Sequence, residues 1–163
     1  MKRHSIAALL ALLLSACTVS FDPPSQQQLP EPTAGTKAEQ KEAVGAAREF
    51  LVMIDRGDYE AVWRKAGPVL RNMSNETAFI TTLKVMRKTF FVLPGRKPER
   101  LGFYTQVDPG GPVGEYVVVF FVGRSGNLTC TEKVVMQKEQ GQWKLTGYFI
   151  TKHRQTGAKP QDP

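Results

Sequence analysis

The fold is decided by the stretch from residue 116 to residue 151, which reads YVVVFFVGRSGNLTCTEKVVMQKEQGQWKLTGYFIT. Residues 116–122 are apolar throughout, which suits a central strand, and further along apolar residues alternate with polar ones between short polar or Gly-containing turns. Such a pattern is typical of antiparallel strands joined by tight loops. With one more segment upstream, the pattern predicts four strands, at about residues 99–107, 114–122, 128–138 and 142–151. The apolar residues of the last strand are expected to share one face: Trp143, Leu145, Gly147 and Phe149.

Three helices are expected before the strands. Thr36–Glu39 fits a capping box that begins the first helix, and Gly57 is suited to end it. Asp58 is placed to cap the second helix, which Gly67-Pro68 stops, and Ser74 to cap the third. Helices followed by a run of strands predict an α+β domain, with three N-terminal helices packed on one face of a four-stranded antiparallel meander. This domain should span residues 37–153.

The N-terminus carries the features of an export signal. Lys2 and Arg3 precede an apolar run, Ile6–Leu14, which is too short to cross a bilayer as a stable helix. The run ends in Leu14-Ser15-Ala16-Cys17, which resembles the bacterial lipobox. We therefore expect a signal peptide at residues 1–16 and lipidation of Cys17. The alternative is an ordinary secretory signal cleaved near Ala16.

A lipidated Cys17 would hold the protein on a membrane without a transmembrane segment, because each buried methylene contributes about 0.8 kcal/mol. Thr18 follows, where Asp would be the usual inner-membrane retention signal, so outer-membrane localisation facing the periplasm is expected. Residues 17–36 are rich in Pro and Gln and are predicted to be a solvated tether. Residues 154–163 are predicted to be a disordered tail.

The charge balance narrows the range of partners. The chain carries a formal charge of +7, and loss of Lys2 and Arg3 with the signal leaves +5. An exported protein is not expected to bind nucleic acid, so anionic lipid headgroups or an acidic face of an envelope protein are the natural partners. A basic surface that serves only solubility is the other interpretation. The sequence contains no Gly-rich phosphate loop, HExxH, CxxC or GxSxG motif, so no cofactor, metal site or catalytic residue is predicted.

Two motifs resemble a known family. Asp55-x-Gly57-x-Tyr59-x-x-x-Trp63 and Gly141-x-Trp143-x-x-x-Gly147-Tyr148 resemble the bacterial domain of unknown function 4019 family, over roughly residues 40–152. The resemblance implies an exported, often lipid-anchored protein with no established activity. It also implies a curved sheet wrapped around helices, of the cystatin-like or nuclear-transport-factor-2-like type.

Glu132 is the first candidate for a ligand-binding residue. The residues expected on its strand face are otherwise apolar: Leu128, Cys130, Val134 and Met136. An isolated buried carboxylate is costly, so Glu132 is expected to pair with an arginine, Arg87 first, or to line the mouth of a cone as a ligand-binding group or base. The third alternative is a bulge that turns Glu132 to solvent.

Further candidates are basic. Arg87, Arg96 and Arg100 belong to a cluster, together with Lys88 and Lys97, that is expected either to bind an anion or to form a solvated loop. Cys130 is expected to be a buried, inert thiol, and His153 an exposed residue at the end of the domain.

These observations favour a bacterial outer-membrane lipoprotein whose domain is a non-catalytic binding or accessory module at the periplasmic membrane surface. One alternative is a small-molecule-binding protein or enzyme that uses the cone interior around Glu132. Another is a structural subunit of an envelope or secretion complex.

Overall fold

The computed structural model describes residues 29–90, 93, 95–125 and 128–154. The predicted signal peptide, Cys17 and nearly all of the predicted tail lie outside these residues. In the described part, no helix is both long enough and apolar enough to span a membrane.

Within the described residues, four helices precede four strands. The helices are α1 (Lys37–Arg56), α2 (Tyr59–Arg64), α3 (Pro68–Met73) and α4 (Glu76–Phe90). The strands are β1 (Lys97–Tyr104), β2 (Tyr116–Ser125), β3 (Leu128–Glu139) and β4 (Gln142–Arg154). All pairs are antiparallel and the sheet order is β1-β2-β3-β4, so the predicted α+β meander is confirmed.

One face of the sheet packs against the helices, and we call it the inner face. Its central residues pair across β2 and β3, as Val117 does with Met136 and Val119 with Val134. They form one core with apolar residues of α1 and α4, such as Phe50 and Leu83. The opposite side of the sheet, called the outer face, carries the alternate residues of each strand.

The helix boundaries follow local capping chemistry. The Thr36 hydroxyl accepts a hydrogen bond from the Glu39 N–H at 3.2 Å, and the Thr36 N–H donates to the Glu39 carboxylate at 2.7 Å. These bonds lower the pKa of Glu39. Gly57 ends α1 with φ at 80°, in the left-handed region that glycine tolerates. Asp58 stands before α2 as expected, but its side chain makes no capping hydrogen bond.

The stretch between α2 and α4 differs from the prediction. α2 ends at Arg64, before Gly67-Pro68 is reached, and Gly67-Pro68 begins the short helix α3, because proline is well suited to the first position of a helix. Ser74 ends α3 rather than capping the next helix. The Asn75 side chain takes that role, accepting a hydrogen bond from the Ala78 N–H at 2.9 Å.

The prediction that Trp143, Leu145, Gly147 and Phe149 share one face of the last strand is wrong for Gly147 and Phe149. A bulge at Thr146 makes Val135 pair with Gly147 while Met136 pairs with Leu145. Because the extra residue reverses the alternation, Gly147 and Phe149 lie on the outer face, although Leu145 is buried in the core.

The chain is in contact with the sheet before α1 begins. Thr33 and Phe103 exchange backbone hydrogen bonds of 2.9 Å, which adds an antiparallel bridge at the β1 edge. Pro32 lies against Gly102, where an added Cβ would come within 3.0 Å of the proline Cβ. The end of the predicted tether therefore lies along β1.

Candidate functional site

Glu132 is fully buried on the inner face of β3. It pairs across the sheet with Phe121 in β2 and Ile150 in β4, and the bulge at Thr146 of β4 lies further along, opposite Val135 and Met136. The prediction that its strand face is apolar is confirmed, and the alternative that a bulge turns Glu132 to solvent is wrong.

Both carboxylate oxygens of Glu132 have partners. Oε1 accepts a hydrogen bond of 2.5 Å from the Tyr148 hydroxyl and lies 3.7 Å from an Arg87 guanidinium nitrogen. Oε2 forms an ion pair with Arg96 at 2.8 Å. The predicted pairing with arginine is confirmed, but the shorter contact is with Arg96 rather than Arg87.

A second carboxylate, Asp55, binds the same two arginines. Its Oδ2 accepts a hydrogen bond of 2.5 Å from Arg96, and its Oδ1 is ion-paired with Arg87. Two carboxylates and two guanidinium groups therefore alternate in space. We call Asp55, Arg87, Arg96, Glu132 and Tyr148 the ionic cluster.

Helix ends place two members of the cluster. Asp55 lies in the last turn of α1, where a negative charge is unfavourable next to the helix dipole, so it depends on the arginines for compensation. Arg87 lies in the last turn of α4, where the dipole favours a cation.

A close backbone approach places Arg96. An added Cβ on Gly123 of β2 would lie 3.0 Å from the Cβ of Leu93 and 3.3 Å from that of Arg96. Glycine therefore lets this connection lie directly against the sheet. The Arg96 Nε also donates to the Leu93 carbonyl at 3.2 Å, which directs the guanidinium toward the two carboxylates.

The electrostatics of the cluster keep Tyr148 protonated. Its burial, and then the negative charge of Glu132, raise the pKa of Tyr148 far above its ordinary value. Tyr148 is therefore a hydrogen-bond donor to Glu132 and not a base. Cys130, two residues before Glu132, is fully buried as predicted, and burial raises the pKa of its thiol.

The remaining basic candidates are not brought together. Arg100 is exposed on the outer face, where its guanidinium lies 3.7 Å from the centre of the Phe120 ring. Lys88 and Lys97 are exposed, and so is His153. The structure thus splits the predicted basic cluster, because Arg87 and Arg96 are neutralised on the inner face while the other cations meet solvent.

Two members of the cluster, Asp55 and Tyr148, had no predicted role. Both stand in the family motifs, Asp55 as a helix-terminal residue and Tyr148 next to Gly147. The position of Asp55 at a helix C-terminus was the available signal, since a carboxylate is unfavourable there without a cation. The alternation of the sequence placed Tyr148 on the wrong face, because the Thr146 bulge reverses the faces of the residues that follow it.

Glu132 lies away from the main surface cavities of the described residues. The largest of four such cavities is a groove of about 650 Å³ between α1 and the β3–β4 turn, and Glu132 lines none of the four. In the same part of the chain, no three His, Cys, Asp or Glu side chains are grouped as a metal site would require.

The fold and cluster define a small α+β domain built around compensated buried charges. The model of the family described as "Protein of unknown function (DUF4019)" matches residues 46–148. Because the match covers more than half of the chain, the protein belongs to this family, as its motifs indicated. The matched range contains every residue of the ionic cluster. No curated protein and no solved structure matches the chain.

Proposed function

We propose that the protein is a bacterial outer-membrane lipoprotein, anchored through acyl chains on Cys17, whose domain is a non-catalytic binding or accessory module facing the periplasm. The basic start, the short apolar run and Leu14-Ser15-Ala16-Cys17 support the anchor. Thr18, in place of an aspartate, supports the outer membrane. The membrane is one partner, and an envelope protein or an anionic lipid headgroup is the other.

The non-catalytic assignment is carried by one observation: Glu132 is fully buried, with both oxygens engaged. A general base must reach the proton it removes, directly or through one water. Glu132 instead faces two guanidinium groups and a hydroxyl donor. This arrangement suits a structural element that fixes the ends of α1 and α4 on the sheet.

The alternative of a ligand-binding or catalytic cone interior requires space beside Glu132. Phe121 and Ile150 flank it across the sheet, and Tyr148 and Arg96 cover its oxygens. A ligand would have to displace an arginine that also holds Asp55. The geometry therefore favours the accessory module.

Metabolic labelling with an alkyne analogue of palmitate tests the anchor. The wild type should incorporate the label into the membrane fraction, and Cys17→Ser should abolish incorporation. Cys130→Ser is the matched control, because it removes the other of the chain's two cysteines and should leave labelling intact. Labelling that survives Cys17→Ser would refute the anchor.

A crosslinked pull-down from detergent-solubilised envelopes tests the accessory role. An envelope protein recovered reproducibly and near-stoichiometrically with the wild type, and lost with Cys17→Ser, would support an assembly module. Recovery of the lipoprotein alone would argue against an adaptor with a stable protein partner.

A further inference from the structure

The outer face carries a row of alternating cations and aromatic rings. The strand register aligns four residues, one from each strand: Arg100, Phe120, Lys133 and Phe149. The Arg100 guanidinium lies 3.7 Å from the centre of the Phe120 ring, and the Lys133 ammonium 5.3 Å from that of Phe149. Both distances are within the range of cation–π attraction.

The neighbouring part of the outer face is also basic. Lys97 pairs with Val122, and Arg124 pairs with Thr129, so both cations lie on the same side as the row. By register, the charged residues of β1 and β2 on this side are Lys97, Arg100 and Arg124, all cations, while Glu139 lies on the same side at the other end of β3. Glu99 forms the β1 bulge and lines the cavity next to α1 together with Lys37, Lys41 and Arg100.

An apolar recess of about 170 Å³ adjoins the row. Its walls come from α3, from the loop between β1 and β2, and from β3 and β4, and include Met73, Pro112 and Phe149. Met73 is 75% exposed and Phe149 54%, and Val113, the residue after Pro112, is 76% exposed. The recess also contains Asp108, whose carboxylate accepts a hydrogen bond from the Gly110 N–H at 3.5 Å.

The described chain enters the domain along β1, at one edge of this face. Thr33 is fixed to Phe103 of β1, the strand that carries Arg100. Cys17 precedes Leu29 by twelve residues, which span at most about 40 Å when extended. An acylated Cys17 would therefore keep the outer face within reach of the bilayer to which it is attached.

We infer that the outer face docks on an anionic bilayer surface, an inference that rests on the proposed lipid anchor. Lysines and arginines attract anionic headgroups. Aromatic side chains favour the membrane interface, and exposed apolar side chains such as Met73 and Phe149 gain by entering it. A soluble anion would bind the cations but leave the exposed apolar side chains in water. An anionic bilayer binds the cations through its headgroups and also removes the apolar side chains from water.

Depth-dependent fluorescence quenching tests the docking with the full lipidated protein. Thr151 of β4 is exposed on the outer face, and Thr81 of α4 is exposed on the helical side. In a Cys130→Ser background, Thr151→Cys and Thr81→Cys each receive a bimane label. The proteins are reconstituted into vesicles of phosphatidylcholine, with or without phosphatidylglycerol, that contain brominated acyl chains.

Docking predicts that the label at residue 151, and not that at 81, is quenched in vesicles with phosphatidylglycerol at low salt. High salt should reverse the quenching. The triple variant Arg100→Gln, Arg124→Gln, Lys133→Gln should abolish the quenching. Each cation raises the ratio of docked to undocked protein about fivefold, so the loss of three should lower that ratio roughly a hundredfold.

A matched triple variant on the helical side serves as the control: Lys41→Gln, Lys84→Gln, Lys88→Gln. It changes the net charge equally and should leave quenching at residue 151 intact. Equal quenching at both labels, or at neither, would overturn the docking, and so would equal loss in the two triple variants.

Flotation separates this inference from the proposed function. Protein that fails to float with pure phosphatidylcholine vesicles lacks the anchor, which overturns the proposed lipoprotein. Protein that floats without selective quenching at residue 151 keeps the anchor but refutes the docking.

Discussion

Glu132→Gln is the most informative perturbation of the ionic cluster. It keeps the shape of the side chain and an acceptor for the Tyr148 hydroxyl, but it removes the negative charge that faces Arg87 and Arg96. Asp55 alone would then balance two buried guanidinium groups. The variant therefore isolates the charge contribution from packing.

The magnitude follows from the geometry. Breaking a buried ion pair by removing one partner costs about 3–5 kcal/mol, because the remaining charge is left uncompensated. Asp55 retains its contacts with both arginines, so we place the cost of Glu132→Gln near the lower end, at about 3 kcal/mol. Glu132→Ala should cost more, since it also leaves the Tyr148 hydroxyl without its acceptor.

Thermal and urea unfolding at neutral pH measure the effect. A domain of this size loses about 3–5 °C in Tm per kcal/mol, so Glu132→Gln should lower Tm by roughly 10 °C. Glu115→Gln is the control: its side chain is 57% exposed and meets Lys138 at 3.6 Å, and exposed pairs of this kind contribute little.

An unchanged Tm in Glu132→Gln would refute the structural role of the cluster. It would show that the charge of Glu132 does not stabilise the fold and would favour the ligand-binding alternative. An equal loss in Glu115→Gln would show that the effect comes from net charge rather than from the cluster.

Three further predictions concern the same region. Gly123→Ala should destabilise the domain by about 1–3 kcal/mol in urea unfolding, because the new methyl crowds Leu93 and Arg96; an unchanged midpoint would contradict that close approach. The pKa of Tyr148 is raised above 10 in the folded state, so its contribution to stability is full below about pH 10 and is lost as pH rises further. In an absorbance titration, Tyr148→Phe should therefore leave the tyrosinate signal of the folded protein unchanged, while reducing that of the urea-unfolded protein by one of four tyrosines. Native Cys130 should resist iodoacetamide, since burial raises its pKa and blocks access, and mass spectrometry should find modification only after unfolding.

Much of the fold could be predicted because local signals agreed with tertiary packing. The Thr36–Glu39 capping box and Gly57 marked the bounds of α1, and the apolar residues of 116–122 marked a central strand. The short helix α3 was missed because Gly67-Pro68 is a stop signal for one helix and a start signal for the next.

The candidate site could be predicted only in part. A carboxylate on an apolar strand face had to be paired, which pointed to Glu132 and an arginine. The period of the sequence could not show that Asp55 would join from the end of α1, because that contact depends on how two helices approach the sheet. The face on which Tyr148 lies could not be predicted from the alternation either, because a single extra residue at Thr146 moves the following residues of β4 to the opposite faces.

The proposed lipoprotein is best tested by the intact mass of the protein extracted from the membrane fraction of the cells, with sequencing of its N-terminal peptide. The proposed anchor predicts a chain that begins at Cys17 and carries acyl groups on that residue. A mature chain that begins elsewhere, or that contains Cys17 as a free thiol, would contradict it.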